Sequence, residues 1–179
     1  MYDRRNQAGW TLWETIVGLS LMSLALIVFG GVFTSTETLV RDGRAKHRAE
    51  EMLRRNLEAL ANVLRDADAE TLSGFDSTGK SLSPTFAKVT DVDEIGVVYG
   101  PNEQLRWSAS PGSIPGVASP GKVVLAKSGL ERVIADRVPA GAFSVQWNDG
   151  TLVVEVSTYY VVDNHTEVVR GRTAIAVRN

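Results

Sequence analysis

With 179 residues, 44% of them hydrophobic and 22% charged, the chain has room for one modest globular domain beside a long apolar segment. A formal net charge of −2 and a pI near 5.7 supply no basic face for a nucleic acid backbone. The absence of cysteine excludes disulfides and thiolate metal sites, and no Walker loop, nucleophile elbow or His-Glu-x-x-His motif occurs, so the sequence reads as a non-enzyme that needs no cofactor.

Met1 to Gly9 form a short polar leader containing Asp3, Arg4, Arg5, Asn6 and Gln7. Trp10-Thr11-Leu12-Trp13-Glu14 follows, and then Thr15 to Thr36, 22 residues without a charge. At ~1.5 Å per residue this run spans about 33 Å as a helix, enough for a hydrocarbon core of about 30 Å. It is too long for the apolar region of a cleaved secretory signal, and a glycine precedes it where such a signal has a small-residue site following. Gly18, Gly30 and Gly31 are tolerable there because lipid leaves the backbone no better option than a helix, and such residues can mark close helix approach. Glu14 stands at the mouth of this helix, where a carboxylate beside hydrocarbon calls for a partner.

By position, Gly9, Thr11, Leu12 and Glu14 resemble the processing site shared by type IV pilins and type II secretion pseudopilins. There, glycine precedes Phe-Thr-Leu-(Ile/Leu)-Glu and an apolar helix. Trp10 takes the place of the usual Phe and Trp13 that of an aliphatic residue, and both keep bulk and apolarity. The resemblance implies cleavage between Gly9 and Trp10 by a prepilin peptidase and N-methylation of the new terminus at Trp10. It gives Glu14 a role in assembly, meeting the N-terminal amine of a neighbouring subunit. It also implies a single-pass protein of the bacterial inner membrane, with a cytoplasmic N-terminus, a periplasmic C-terminal domain and a place in a periplasmic filament. The positive-inside rule alone points the other way, since Arg41, Arg44, Lys46, Arg48, Arg54 and Arg55 outnumber the leader's cations. The orientation therefore rests on the cleavage motif.

Beyond the apolar run, Ala45, Ala49, Leu53, Leu57, Leu60, Leu64 and Ala67 recur at steps of three and four, one face of an α-helix. Arg54, Arg55, Glu58, Asn62, Arg65 and Asp66 fall largely off that face. With no proline between Trp10 and Phe75, the pattern predicts a helix from Thr11 to about Leu72, stopped by Ser73-Gly74, with a weak point at Gly43.

From Phe75 the pattern becomes β-like. Thr85–Thr90 is a weak strand candidate. Ile95–Tyr99 and Gln104–Ser108 read as a hairpin around Gly100-Pro101-Asn102-Glu103. Pro111 to Pro120 reads as an exposed loop. Val123–Lys127 and Glu131–Ile134 pair around Ser128-Gly129. Phe143, Val145 and Trp147 alternate, Asn148-Asp149-Gly150 turns the chain, and Leu152, Val154 and Val156 alternate again, the most secure hairpin because Asp-Gly suits the twist of paired strands. That strand runs to Val162, Asp163-Asn164-His165 turns, and Glu167–Arg178 closes the chain. His47 and His165 read as solvated. Asp91, Asp93 and Glu94 read as an acidic turn in preference to a calcium site, and Asn164-His165-Thr166 fits a glycosylation sequon that arises often by chance.

The segments 132–138, 143–147 and 173–179, with the helix from Arg54 to Ala67, are similar to J-type minor pseudopilins and related minor pilins. The expectation is an α+β, pilin-like fold in which a long N-terminal helix packs across an antiparallel β-sheet. Its segments are a leader (1–9), a transmembrane or filament-core helix (10–36), an amphipathic continuation (37–73) and a β-rich domain (74–179). The implied function is a minor pseudopilin, a structural subunit near a filament tip, with prepilin peptidase and other pseudopilins or minor pilins as partners. The alternatives are a pilin-like adhesin or DNA-uptake subunit, and a generic signal-anchored envelope protein.

Overall fold

A computed structural model describes residues 11–93, 96–117, 119–162 and 165–177. Helix α1 (Leu12–Arg65) is followed by a single 3-10 turn (Ala69–Thr71). The described strands are β1 (Lys80–Ser81), β2 (Thr85–Phe86), β3 (Val89–Asp93), β4 (Gly96–Tyr99), β5 (Glu103–Ala109), β6 (Gly121–Lys127), β7 (Leu130–Ala135), β8 (Phe143–Asn148), β9 (Thr151–Val162) and β10 (His165–Ala176). The chain divides into two compact units, Met1–Arg44 and Ala45–Asn179, and α1 contributes to both.

In the first unit every described residue is exposed, from Thr11 to Arg44. The helical assignment passes through Gly43 without a break. Good helix formers on either side, Arg41, Arg44 and Ala45, offset the glycine's cost of roughly 1 kcal/mol.

In the second unit the apolar stripe of α1 meets the sheets. Ala49, Leu53, Leu60 and Leu64 are buried, and Val63 and Asn56 join them. Leu57, expected among the buried leucines, is only half-buried. Arg54, Arg55, Glu58, Asn62, Arg65 and Asp66 face solvent, where Arg54 pairs with Glu58 at 2.9 Å and Arg55 with Glu51 at 3.3 Å across one helical turn.

The helix stops at Arg65, short of the Leu72 expected from the sequence. Ala67, fully buried, forms an antiparallel bridge with Lys88, which takes its backbone out of the helical ladder. Asp68 then caps the 3-10 turn, its carboxylate accepting the Glu70 N–H at 2.9 Å. Ser73, expected to stop the helix, lies in extended chain, exchanging backbone hydrogen bonds of 2.9 and 3.0 Å with Thr85. A tertiary bridge has overridden a helical propensity that local sequence favoured.

All described strand pairs are antiparallel, as expected, but they form two four-stranded sheets and a ribbon where the sequence reads as one sheet. One sheet has the order β1-β8-β9-β10, the other β2-β5-β6-β7, and β3 pairs with β4 alone. The β8–β9 hairpin follows expectation, with Phe143 opposite Val156, Val145 opposite Val154 and Trp147 opposite Leu152. Asp149 and Gly150 both take positive φ, 40° and 85°, which matches the twist of the strands they join. The β6–β7 hairpin turns at Ser128-Gly129, as read from sequence, and β10 pairs with β9 along its whole length, beginning at His165, which the sequence reading places in the turn, and not at Glu167.

The expected hairpin around Gly100–Glu103 does not form. Strand β4 pairs back onto β3, while β5 lies between β2 and β6. The Gly100 N–H donates to the Lys88 carbonyl at 2.8 Å, holding the chain against the start of β3, and Pro101 has no N–H to begin a new ladder. Burial agrees: Leu105 on β5 is fully buried, whereas Val97 and Val98 on β4 are exposed.

One hydrophobic core joins α1 to both four-stranded sheets. Leu53, Leu60, Val63 and Leu64 pack with Phe86, Leu105 and Val123 from one sheet and with Phe143, Val145, Leu152, Val154 and Val156 from the other. The helix approaches β10 so closely that a Cβ placed on Gly171 meets Leu57 Cδ1 at 2.7 Å and Leu53 Cδ2 at 3.0 Å. Asn56 pins the same helix to the end of β7. Its amide nitrogen donates to the Asp136 carbonyl at 2.9 Å, and its amide oxygen accepts the Asp136 N–H at 3.3 Å.

A fragment spanning 43–179 is expected to fold by itself. In urea unfolding of that fragment, Leu60→Ala should cost about 2–5 kcal/mol, as removal of a fully buried leucine does, and more than Leu57→Ala. Gly171→Val should cost about 1–3 kcal/mol through overpacking against Leu53 and Leu57. Equal midpoints for wild type and Gly171→Val would mean that the helix does not seat on β10 in solution.

Candidate functional site

The start of α1 is built by a reciprocal pair of side chains. The Thr11 hydroxyl oxygen accepts the Glu14 N–H at 3.3 Å, and Glu14 Oε2 accepts the Thr11 N–H at 2.9 Å and the Thr11 hydroxyl at 3.1 Å. The Thr15 N–H then donates to the Thr11 carbonyl at 3.2 Å and starts the regular ladder. This is a capping box, in which two orphan donors of the first helical turn are satisfied by residues three apart. Glu14, a carboxylate that calls for a partner beside hydrocarbon, thus has one within its own helical turn. The Thr-x-x-Glu spacing ahead of an apolar run was the signal for the box.

The sequence-designated cleavage and methylation residues, Gly9 and Trp10, lie outside the described residues, so of the three site residues only Glu14 has a described environment. The same applies to Glu94 in the acidic turn, to Asn164 in the sequon, and to Arg178 and Asn179 at the C-terminus. Asp91 is exposed and its carboxylate accepts the following N–H, from Val92, at 2.8 Å. Among the described residues no cluster of three or more His, Asp or Glu side chains is placed to hold a metal ion. His47 and His165 are both exposed, in keeping with their reading as solvated.

Behind the capping box runs a window of mean hydropathy 2.4 with none of its residues buried. Within α1 this is a stretch long and apolar enough to cross a membrane. Its hydroxyls are turned inward on its own backbone. Ser20 donates to the Ile16 carbonyl at 2.8 Å, Ser23 to Leu19 at 2.8 Å, Ser35 to Gly31 at 2.9 Å and Thr36 to Val32 at 2.8 Å. Each hydroxyl proton thus has an acceptor that needs no water, the condition a polar side chain must meet in hydrocarbon. Leu21, Met22, Leu24, Ile27, Phe29 and Phe33 stand 60–73% exposed around this run, with nothing among the described residues to cover them. A Cβ at Gly30 or Gly31 would meet nothing within 4 Å, so no packing inside the chain requires glycine there.

Compared with protein-family models, with curated proteins and with solved structures, the chain shows no significant match. The class that the geometry itself defines is an α+β protein with one N-terminal helix able to serve as a single membrane anchor.

In amide hydrogen exchange on the detergent-solubilised chain, Thr11→Val and Glu14→Ala should each reduce protection of the first helical turn, because each removes one half of the box. Glu14→Gln should retain that protection, since an amide oxygen accepts the same Thr11 N–H. Unchanged exchange in Glu14→Ala would show that the box does not hold the helix start.

Proposed function

We propose that the chain is a membrane-anchored structural subunit of a type IV pilin-like or type II secretion filament, specifically a minor pseudopilin with a pilin-like fold. The observation that carries this reading is the double character of α1. Its residues 15–36 are uncharged and uncovered among the described residues, and its second part supplies the helical side of a core shared with antiparallel sheets. A subunit held in the inner membrane and later transferred into a filament needs a helix of this kind. Its apolar part is solvated by lipid first and by neighbouring helices afterwards, and its other part belongs to a domain that stays folded throughout.

On this reading the chemistry is done to the chain. A prepilin peptidase hydrolyses the Gly9–Trp10 bond on the cytoplasmic face, where the missing Cβ of Gly9 lets the backbone enter the cleft closely. Water adds to the Gly9 carbonyl and the amine of Trp10 leaves, to be N-methylated afterwards. The new terminus lies one helical turn from Glu14. In the membrane the capping box keeps that carboxylate partnered. In the filament it is free to exchange the Thr11 N–H for the amine of a neighbouring subunit, in surroundings of low dielectric where an uncompensated charge is expensive. Partner subunits are other pseudopilins or minor pilins. The C-terminal domain is periplasmic, and no nucleic acid is involved.

N-terminal sequencing of the protein extracted from membranes should begin at Trp10, and Gly9→Val should leave an uncut precursor in the membrane. A mature chain that begins beyond Thr36 would overturn the proposal. Glu14→Ala should still be inserted and cut, yet lose co-purification with its fellow subunits, and Glu14→Gln should behave in the same way. If Glu14→Gln assembles as wild type does while Glu14→Ala does not, the capping box and not the charge is what assembly needs.

A further inference from the structure

In the second unit, a groove of about 590 Å³ runs between α1 and the loop that follows β7. Arg48, Met52 and Asn56 line it from the helix, Arg137 from the loop, and Tyr159 and Val161 from β9. Three features set it apart from an incidental surface crease. The ring of Tyr159 is buried, the residue being 7% exposed, and its phenol oxygen is accessible to solvent and donates to no group among the described residues. The guanidinium groups of Arg48 and Arg137 have no ion-pair or hydrogen-bond partner there either, although Arg55 beside them is held by Glu51 at 3.3 Å. Arg137 sits at φ 55°, a left-handed conformation that a residue with a Cβ rarely adopts.

That unusual backbone is held from three sides. The Arg137 carbonyl accepts the Thr158 hydroxyl at 3.1 Å and the Tyr159 N–H at 3.3 Å. The preceding residue, Asp136, is clamped at both backbone polar groups by the buried Asn56. The fold thus fixes an arginine backbone in a left-handed position and leaves its exposed guanidinium without an ion-pair partner among the described residues, on the rim of a groove that the Tyr159 ring also lines. Cationic donors gathered at one groove without a carboxylate paired to them are what an anionic ligand requires.

We propose that this groove is a binding site for the carboxylate of an acidic segment of a partner protein, received by Arg48 and Arg137 with the Tyr159 hydroxyl as a further donor. The charges lining the groove favour a carboxylate over a phosphate. Arg48, Arg55 and Arg137 face Glu51 and Asp136 from the helix and the loop, which leaves an excess of one positive charge. One excess charge suits a single carboxylate, whereas a dianionic phosphate would be repelled by Asp136 without full compensation. The half-buried Met52 and the exposed Val161 offer the apolar stem of a glutamate side chain something to lie on. The inference stands independently of the membrane and processing reading above, since it uses only the second unit.

The test is a fluorescence anisotropy titration of the full chain in maltoside micelles with a labelled hexaglutamate peptide. Hexaglutamine, inorganic phosphate and micelles doped with phosphatidylglycerol serve as parallel arms. Hexaglutamate should bind and hexaglutamine should not. Arg48→Gln and Arg137→Gly should each weaken binding roughly tenfold or more, the scale of a charge-assisted hydrogen bond, and Tyr159→Phe should weaken it less. Glycine suits the φ of position 137, so Arg137→Gly should keep the thermal transition, and Arg137→Asn is the second variant that tolerates this conformation. Arg170→Gln, an exposed cation on β10 outside the groove, should bind as wild type does. Equal loss in Arg170→Gln would overturn the site, as would undiminished binding in the Arg48→Gln, Arg137→Gly double variant. A response confined to phosphatidylglycerol micelles or to inorganic phosphate would overturn it as well, in favour of a lipid headgroup or a free ion.

Discussion

The seating of α1 residues 53–64 against two sheets is the contact on which the second unit depends. Neither sheet supplies a closed core alone. Phe86, Leu105 and Val123 come from one, Val145, Leu152 and Val154 from the other, and Leu60 and Leu64 lie fully buried among them. Burying a leucine side chain contributes about 1.5–3 kcal/mol, so Leu60 and Leu64 each stabilise the seating of the helix on that scale. The close approach at Gly171 and the two hydrogen bonds of Asn56 to Asp136 set where along the helix that contact occurs. Sliding α1 by one residue would put Leu57 where Asn56 now stands and would strand the Asp136 backbone groups without that partner.

Polar pins elsewhere do the same work of selecting one arrangement. The Trp107 indole N–H donates to the Val138 carbonyl at 2.9 Å and ties β5 to the chain after β7. Glu103 is almost fully buried on β5, and its Oε1 accepts from Lys127 Nζ at 2.8 Å on the neighbouring strand. Its other oxygen has no hydrogen bond and lies 3.9 Å from Lys88 Nζ, which also reaches Asp66 just past the end of α1 at 3.8 Å. Burying such a carboxylate costs several kcal/mol that one close lysine offsets only in part. The pair forms only when β5 and β6 are in this register, where Glu103 stands opposite Lys127.

The first unit obeys different rules. Its residues 15–36 carry no charge and stand uncovered among the described residues, their hydroxyls are satisfied by carbonyls one turn back, and the first helical turn is closed by Thr11 and Glu14. Every strong local requirement of a helix is met from within the helix itself. Such a segment is stable in any medium that accepts its side chains, lipid or other apolar helices alike. That independence is what the proposed transfer between a membrane and a filament demands.

The sequence by itself determined what short-range chemistry controls. An uncharged run of 22 residues declared the apolar helix, and leucines at steps of three and four declared the face that packs. Asp149-Gly150 and Ser128-Gly129 declared two hairpins, because turn conformation is set by the turn residues themselves. Thr11 and Glu14 were legible as a capping box from their spacing, though not the use to which the carboxylate is put. The tertiary structure alone decided the rest. Where α1 ends depends on Ala67 pairing with Lys88, and which strand β4 joins depends on Gly100 reaching the Lys88 carbonyl. The groove at Arg137 depends on Asn56 meeting a backbone 80 positions away. These contacts are chosen by competition among distant segments for the same hydrogen bonds and the same buried space. Local periodicity carries no record of which competitor wins.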